Sequence, residues 1–218
     1  MRVSREQFSE NRQRILEVAG RLFREKGFEG VGVDGIMEQA GLTHGGFYGH
    51  FASKADLADQ ACAVALEQSA DRWETLAETS AETALAEISR SYLSKRHRDN
   101  PGSGCVVAAL GGEVARRADA VRSTVTDGVR ARLGILEGLV EGRTKDQRRE
   151  RAIATLSGMV GAMVLARLVD DPALSNEILS GAEAAIANGD RAPRPLPPAP
   201  PAPESVPRRP AAIARRRR

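Results

Sequence analysis

Aromatic side chains are scarce in this 218-residue chain: five Phe, two Tyr and one Trp, 4 % of the total. That shortage, beside plentiful Ala, Leu, Glu and Arg, disfavours strands and points to helices. Cysteine is equally sparse. Cys62 and Cys105 stand without a CxxC partner or a histidine at metal-ligand spacing, which argues against a zinc site or a disulfide framework and predicts reduced thiols. No positively charged leader with an apolar stretch opens the sequence, so the expected address is cytoplasmic. Uninterrupted apolar runs are missing too. The longest such passage, Ala152 to Val169, contains Thr155, Ser157, two glycines and Arg167, and it reads as a buried interface helix, with no membrane partner expected.

A uniformly basic character is also absent, although the formal charge is +3. From Arg191 onward eight arginines face one glutamate, a local +7, which leaves residues 1–190 at −4. Basicity sits in the tail and around the first helix, so charge alone does not mark a nucleic-acid binder.

What is present is helical periodicity with clear punctuation. Ile15, Ala19, Leu22 and Phe23 line one face of a helix from about Asn11 to Lys26, and Gly27 supplies a left-handed stop. A short helix fits Val33 to Ala40, Gly41 breaks it, and a third segment begins at Thr43. Helix, glycine turn and helix in so short a span are the dimensions of a helix-turn-helix. Ser53-Lys54-Ala55-Asp56 forms a capping box for a fourth helix running toward Trp73 and Leu76. Further helical stretches follow at roughly 82–98, 105–117, 119–140, 146–169 and 172–188. From 191 the Pro/Arg-rich composition predicts a disordered, polyproline-like basic tail, read either as a source of phosphate contacts or as an inert extension.

The informative segment is Val33 to Lys54. Ile36, Ala40, Leu42, Phe47 and Phe51 are spaced to form a small core, leaving Thr43, His44, Tyr48, His50 and Lys54 outward. Thr43 and His44 stand at the start of the third helix, where base edges are read, and Tyr48, His50 and Lys54 suit phosphate contacts that position the protein. Gly45 and Gly46 each cost about 1 kcal/mol relative to alanine inside a helix, so their use is close approach of the backbone to DNA.

These features together resemble the N-terminal domain of the TetR family of repressors: Arg14-Ile15-Leu16, Leu22-Phe23, Gly27-Phe28, Val33 through Gly41, Phe47-Tyr48, His50-Phe51 and Ser53-Lys54. The resemblance covers about residues 9–69. It implies an all-α homodimer with an N-terminal three-helix helix-turn-helix head at 9–69 (motif about 32–51). A larger helical ligand-binding and dimerisation domain at 70–190 would follow, then the tail at 191–218. It implies double-stranded operator DNA and a small-molecule inducer as partners, and a repressor released from its operator by a small-molecule or electrophile signal. It places Thr43, His44, Gly45, Tyr48, His50 and Lys54 where family members touch DNA. One departure is the absence of a lysine or arginine just after the start of the recognition helix, so Arg2 and Arg5 are expected helpers. If His44 contacts DNA only as the imidazolium, operator affinity rises toward mildly acidic pH.

Gly158-Met159-Val160-Gly161-Ala162, with Ala182, Ala185 and Ile186, is the expected dimer surface, an ordinary intramolecular core being the alternative. Cys105, after Pro101-Gly102-Ser103-Gly104, is expected in the first turn of a helix, where a thiolate is favoured. Some TetR-like repressors carry a cysteine near the start of their sixth helix and respond to electrophiles, so Cys105 reads as a thiol sensor or as pocket lining. Cys62 reads as packing. Nothing in the pattern calls for a metal or cofactor. An enzyme is disfavoured, because His44 and His50 belong to the head and His97 lies in a charged run that reads as a solvated helix end.

Overall fold

Helix α1, Arg5–Lys26, begins earlier than its apolar pattern, because a cap and polar pairs hold its first turns. The Ser4 hydroxyl accepts the Gln7 N–H at 3.1 Å, and the Gln7 amide donates to Glu10 and Asn11 at 3.2 Å. The computed structural model describes residues 4–80, 82–117 and 120–189, so the expected tail at 191–218 and Arg2 lie outside the described residues. Helix α1 ends at Gly27, at φ 78°, with the Gly27 N–H on the Phe23 carbonyl at 2.8 Å.

Helix α2, Val33–Gln39, closes in a Schellman arrangement. Gly41 takes φ 70° and donates to Glu38, and Leu42 donates to Met37, both at 2.9 Å. The third segment opens as a 3-10 turn, His44–Gly46, and becomes helix α3 at Phe47–His50. Helix α4, Lys54–Thr79, starts from the capping box: Ser53 Oγ accepts the Asp56 N–H at 3.1 Å, and the Asp56 carboxylate accepts the Ala52 N–H at 2.9 Å.

The stretch expected as one helix at 82–98 is two, α5 (Ala84–Tyr92) and α6 (Lys95–Asp99). Ser94 divides them by capping α6, its hydroxyl accepting the His97 N–H at 3.1 Å. A 3-10 turn at Pro101–Ser103 leads to α7 (Val106–Val114), then α8 (Ala120–Leu139), α9 (Lys145–Leu168) and α10 (Pro172–Ala187). No strand occurs among the described residues.

Two apolar cores result. The first joins Ile15, Phe23, Ile36, Phe47, Phe51 and Leu57 to Leu110, Val121 and Val125; the second gathers Trp73, Ile88, Leu136, Met159, Met163 and Leu179. Val107 and Val129 touch both. The expected boundary at 69/70 falls inside α4, which runs unbroken from Leu57 in one core to Trp73 in the other. Two further bonds tie the end of α1 to the body: Phe28 N–H donates to Glu113 Oε2 at 2.9 Å, and Arg24 Nε donates to the Gly102 carbonyl at 2.9 Å.

Helix α9 is the one helix among the described residues long and apolar enough to cross a membrane by length and composition. One face of it is spent on α7, α8 and α10. Met159 and Ala162 turn into that core, whereas Ser157 and Gly158 face outward with Ile153, Leu165 and Leu168.

Candidate nucleic-acid interface

Phe47 and Phe51, 1 % and 2 % exposed, seal α3 against Ile36, Met37 and Ala40. Their burial fixes which residues between 43 and 54 turn outward. Thr43, His44, Gly45, Gly46 and Tyr48 form one exposed surface, with Tyr48 at 69 %. Thr43 occupies the cap position of the 3-10 turn in extended backbone, and its hydroxyl makes no capping bond there. The Tyr48 ring stands edge-on to Phe47 and His44, with centroids 5.1 and 6.2 Å away, so the phenol projects at a fixed angle.

The glycines of this surface have no packing reason within the fold. A Cβ on Gly45 or Gly49 would meet no atom within 4 Å, and one on Gly46 would only touch Met37 and Thr43 at 3.7 and 3.8 Å. None of the three takes a positive φ. The fold tolerates alanine at Gly45, so the missing side chain serves something outside it.

The basic side chains of this surface face carboxylates. His44 Nδ1 meets Asp34 Oδ1, and Lys54 Nζ lies 3.5 Å from Glu29 Oε2. Sequence patterning did not show these pairs, because Glu29 precedes α2 and Asp34 lies in its first turn, each far along the chain from the side chain it meets. His50 also departs from a free phosphate-facing group. Its ring stacks on Phe8 with centroids 4.1 Å apart, and Nδ1 is buried without a hydrogen-bond partner. Burial, with Arg12 nearby, lowers its pKa below the usual histidine range, so near neutral pH it is an uncharged ring. Phe8 belongs to the early turns of α1, and its contact with His50 has no signal in spacing.

Residues 15–61 match the model of the bacterial regulatory proteins of the tetR family. This N-terminal segment is similar to the TetR family. The chain is 38 % identical over 96 residues to the HTH-type transcriptional repressor AcnR of Corynebacterium diphtheriae, covering 44 % of this chain and 47 % of that one. The chain thus spans about half the length of this curated relative. The fold extends further than the sequence likeness. The reduced form of E. coli NemR superposes with a TM-score of 0.70 at 20 % identity, covering 82 % of this chain and 96 % of that one. A TetR-family regulator of Streptomyces coelicolor, SCO4454, gives 0.62 at 26 % identity over 82 % and 95 %.

Behind the TetR-type head a cavity of about 560 Å³ opens between α1, α4, α5 and the 100–105 segment. Leu16, Val64, Ala65 and Ile88 supply apolar wall, and Trp73, Tyr92, His97 and Cys105 form another side of it. Cys105 is the cap residue of α7 instead of a member of its first turn. It is 7 % exposed, beside the Tyr92 hydroxyl, and its N–H donates to His97 Nε2 at 2.9 Å. His97 Nδ1 lies 2.6 Å from the Tyr92 carbonyl, so the ring is a neutral bridge, donating at Nδ1 and accepting at Nε2. Burial, with Arg167 adding, holds its pKa below the usual histidine range against the pull of the Tyr92 carbonyl. His97 is therefore a half-buried strut between α5 and α7, not a solvated helix end. Burial also raises the Tyr92 phenol well above its ordinary range. No group of metal-ligating side chains occurs among the described residues.

Proposed function

We propose that this chain is a sequence-specific, DNA-binding transcriptional repressor, acting as a homodimer and released from its operator by a small molecule or electrophile. The observation that carries the reading is the exposed Thr43–Tyr48 surface, with glycines open to the outside and a phenol held at its edge. Thr43 and His44 read base edges, Gly45 lets the backbone approach, and Tyr48 and Lys54 position the head on phosphates. His50 contributes through its stack on Phe8, which fixes the end of α3 against α1.

Pairing of two heads about 34–36 Å apart on one face of the duplex needs a second copy. The outer faces of α9 and α10 favour it: Ile153, Leu165, Leu168 and Leu174 are 44 %, 53 %, 73 % and 42 % exposed. A Cβ on Gly158, Gly161 or Gly181 would meet nothing within 4 Å, so these glycines are spare inside one protomer and suit close packing of a second.

Release follows from the position of the cavity. Its Gly102–Cys105 rim holds α1 through the Arg24 bond to the Gly102 carbonyl, so a ligand that displaces the rim moves the head. Curated AcnR is named as a repressor, which favours repression over activation here.

The test is fluorescence anisotropy of the full chain on DNA from upstream of its own gene. The expected result is binding that a scrambled duplex does not compete away, tightened in Asp34→Asn because His44 is freed from its carboxylate. Equal binding to scrambled DNA overturns the reading. The electrophile form of release is tested separately with a quinone. Mass spectrometry should find the adduct on Cys105, and Cys105→Ser should keep its operator in the presence of quinone. Unchanged release in that variant leaves Cys105 as cavity lining.

A further inference from the structure

Arg132 is a buried charge with no counter-ion among the described residues. Arg132, on α8, is 1 % exposed, and its Nε, Nη1 and Nη2 all lack a hydrogen-bond partner. Its guanidinium carbon lies 5.8 Å from the centroid of the Trp73 ring, a contact that engages the π face and leaves every N–H unmet. A buried guanidinium is ordinarily paired with an acid or several carbonyls, because an uncompensated charge in an apolar interior is costly.

Two more orphaned polar groups lie in the same region. The Tyr92 hydroxyl, which touches the Cys105 side chain and feels the charges of Arg132 and Arg167, makes no hydrogen bond of normal geometry, and neither does Arg167 Nη1. Trp73 and Tyr92 meet edge to face, with centroids 6.4 Å apart, and both also line the cavity. They stand between the cavity and Arg132. On the cavity side the balance is again cationic, with Arg24, Arg72 and Arg96 against the single carboxylate of Glu17.

We infer that the cavity takes an apolar carboxylate, whose charged end docks where Trp73 and Tyr92 meet, facing Arg132 and the Tyr92 hydroxyl, and whose body lies along Val64, Ala65 and Ile88. Arg132 does not itself line the cavity, so docking requires the Trp73 and Tyr92 side chains to part; a planar carboxylate then matches the guanidinium fork through two parallel N–H bonds and accepts a third from the phenol, which satisfies Arg132 and Tyr92 together. The mixed wall selects the rest of the molecule: aromatic or aliphatic, of a size that about 560 Å³ holds. This deepens the ligand-controlled reading above and rests on it only for the effect on DNA. Binding itself is measured without DNA.

Trp73 is the only tryptophan in the chain, so its fluorescence reports the site directly. The full chain is titrated with benzoate, 1-naphthoate and octanoate, with the three matching primary amides, and with phenyl phosphate. At least one carboxylate should change the emission saturably, with its amide and the phosphate weaker by about tenfold or more. Arg132→Met should lose that response while melting no lower than the parent, since it removes an uncompensated charge from the interior. Tyr92→Phe, which leaves all charges in place, should weaken the same carboxylate by several-fold and so serves if the first variant fails to fold. Four results overturn the inference: no saturable response to any carboxylate, amides binding equally, phosphate preferred, or both variants binding like the parent. A carboxylate that binds without moving operator affinity sinks release by ligand but not this site. Operator selectivity without carboxylate binding does the reverse.

Discussion

Gly45→Ala is expected to make the protein more stable and its grip on DNA weaker. The backbone at Gly45 lies outside the positive-φ region, and an added methyl meets nothing within 4 Å. Alanine there restricts the unfolded chain without straining the folded one, a gain of about 0.4–1 kcal/mol. Melting temperature should rise by about 2–4 °C per kcal/mol in a chain of this size. In the proposed docking on DNA the methyl would sit where the helix backbone comes closest to the groove, and pushing the helix out would lose a base contact worth about 1–3 kcal/mol. Affinity should fall by about tenfold or more, since each 1.4 kcal/mol is a factor of ten. Differential scanning calorimetry and operator anisotropy on one preparation read the two signs. A parallel fall of both quantities means that Gly45 serves the fold. Unchanged affinity means that no DNA approaches there.

Acidification should loosen the junction between α5 and α7 through His97. Its Nε2 accepts the Cys105 N–H, and a proton placed on that nitrogen sets donor against donor. The folded pKa is lowered, by burial first. The folded state therefore binds fewer protons than the unfolded chain as pH falls from about 6.5. The contribution of His97 is fully present above that value and is lost as pH drops through the depressed folded pKa. Melting temperature should decline from pH 7 to 5 more steeply in the parent than in His97→Leu. At pH 7 that variant should itself be less stable, by about 1–3 kcal/mol for an orphaned buried N–H. Equal pH slopes would show that His97 does not titrate with unfolding. The cavity rim includes His97, Gly104 and Cys105, so ligand affinity should follow the same slope.

Legibility in the sequence followed the range of the forces involved. Helix positions were readable where local chemistry decides them: Ser53 with Asp56 starts α4, Gly27 and Gly41 end α1 and α2, and Pro172 opens α10. The early start of α1 was hidden because Ser4 to Glu10 carries no apolar periodicity, and capping and polar pairs hold it. Phe47 and Phe51 announced the inward face of the recognition segment, and the outward residues followed by elimination. The pairs His44–Asp34, Lys54–Glu29 and His50–Phe8 were not legible, since each depends on how two turns or helices meet. The body was harder still. Arg132 looks like any helix-surface arginine until Trp73 on α4 and Tyr92 on α5 close over it, and His97 becomes a strut only because the 100–105 segment folds back on α6. A fully buried arginine in an amphipathic helix has one sequence signal, its place on the apolar stripe. Arg132 shares that stripe with Val125 and Leu136.

The carboxylates that sit on His44 and Lys54 bear on how such a protein finds its site. A recognition surface whose two basic side chains already face carboxylates displaces few counterions of its own, and so adds little to affinity for arbitrary duplex or to its salt dependence. Genomic DNA, with its millions of competing sequences, then sequesters less of the protein, and occupancy of the operator at low copy number depends on the ratio of specific to nonspecific binding instead of on raw strength. The same economy removes the electrostatic track along which basic proteins slide. Search by the head alone would then rest on collisions from solution, and any sliding by the full chain would depend on the eight arginines after residue 190.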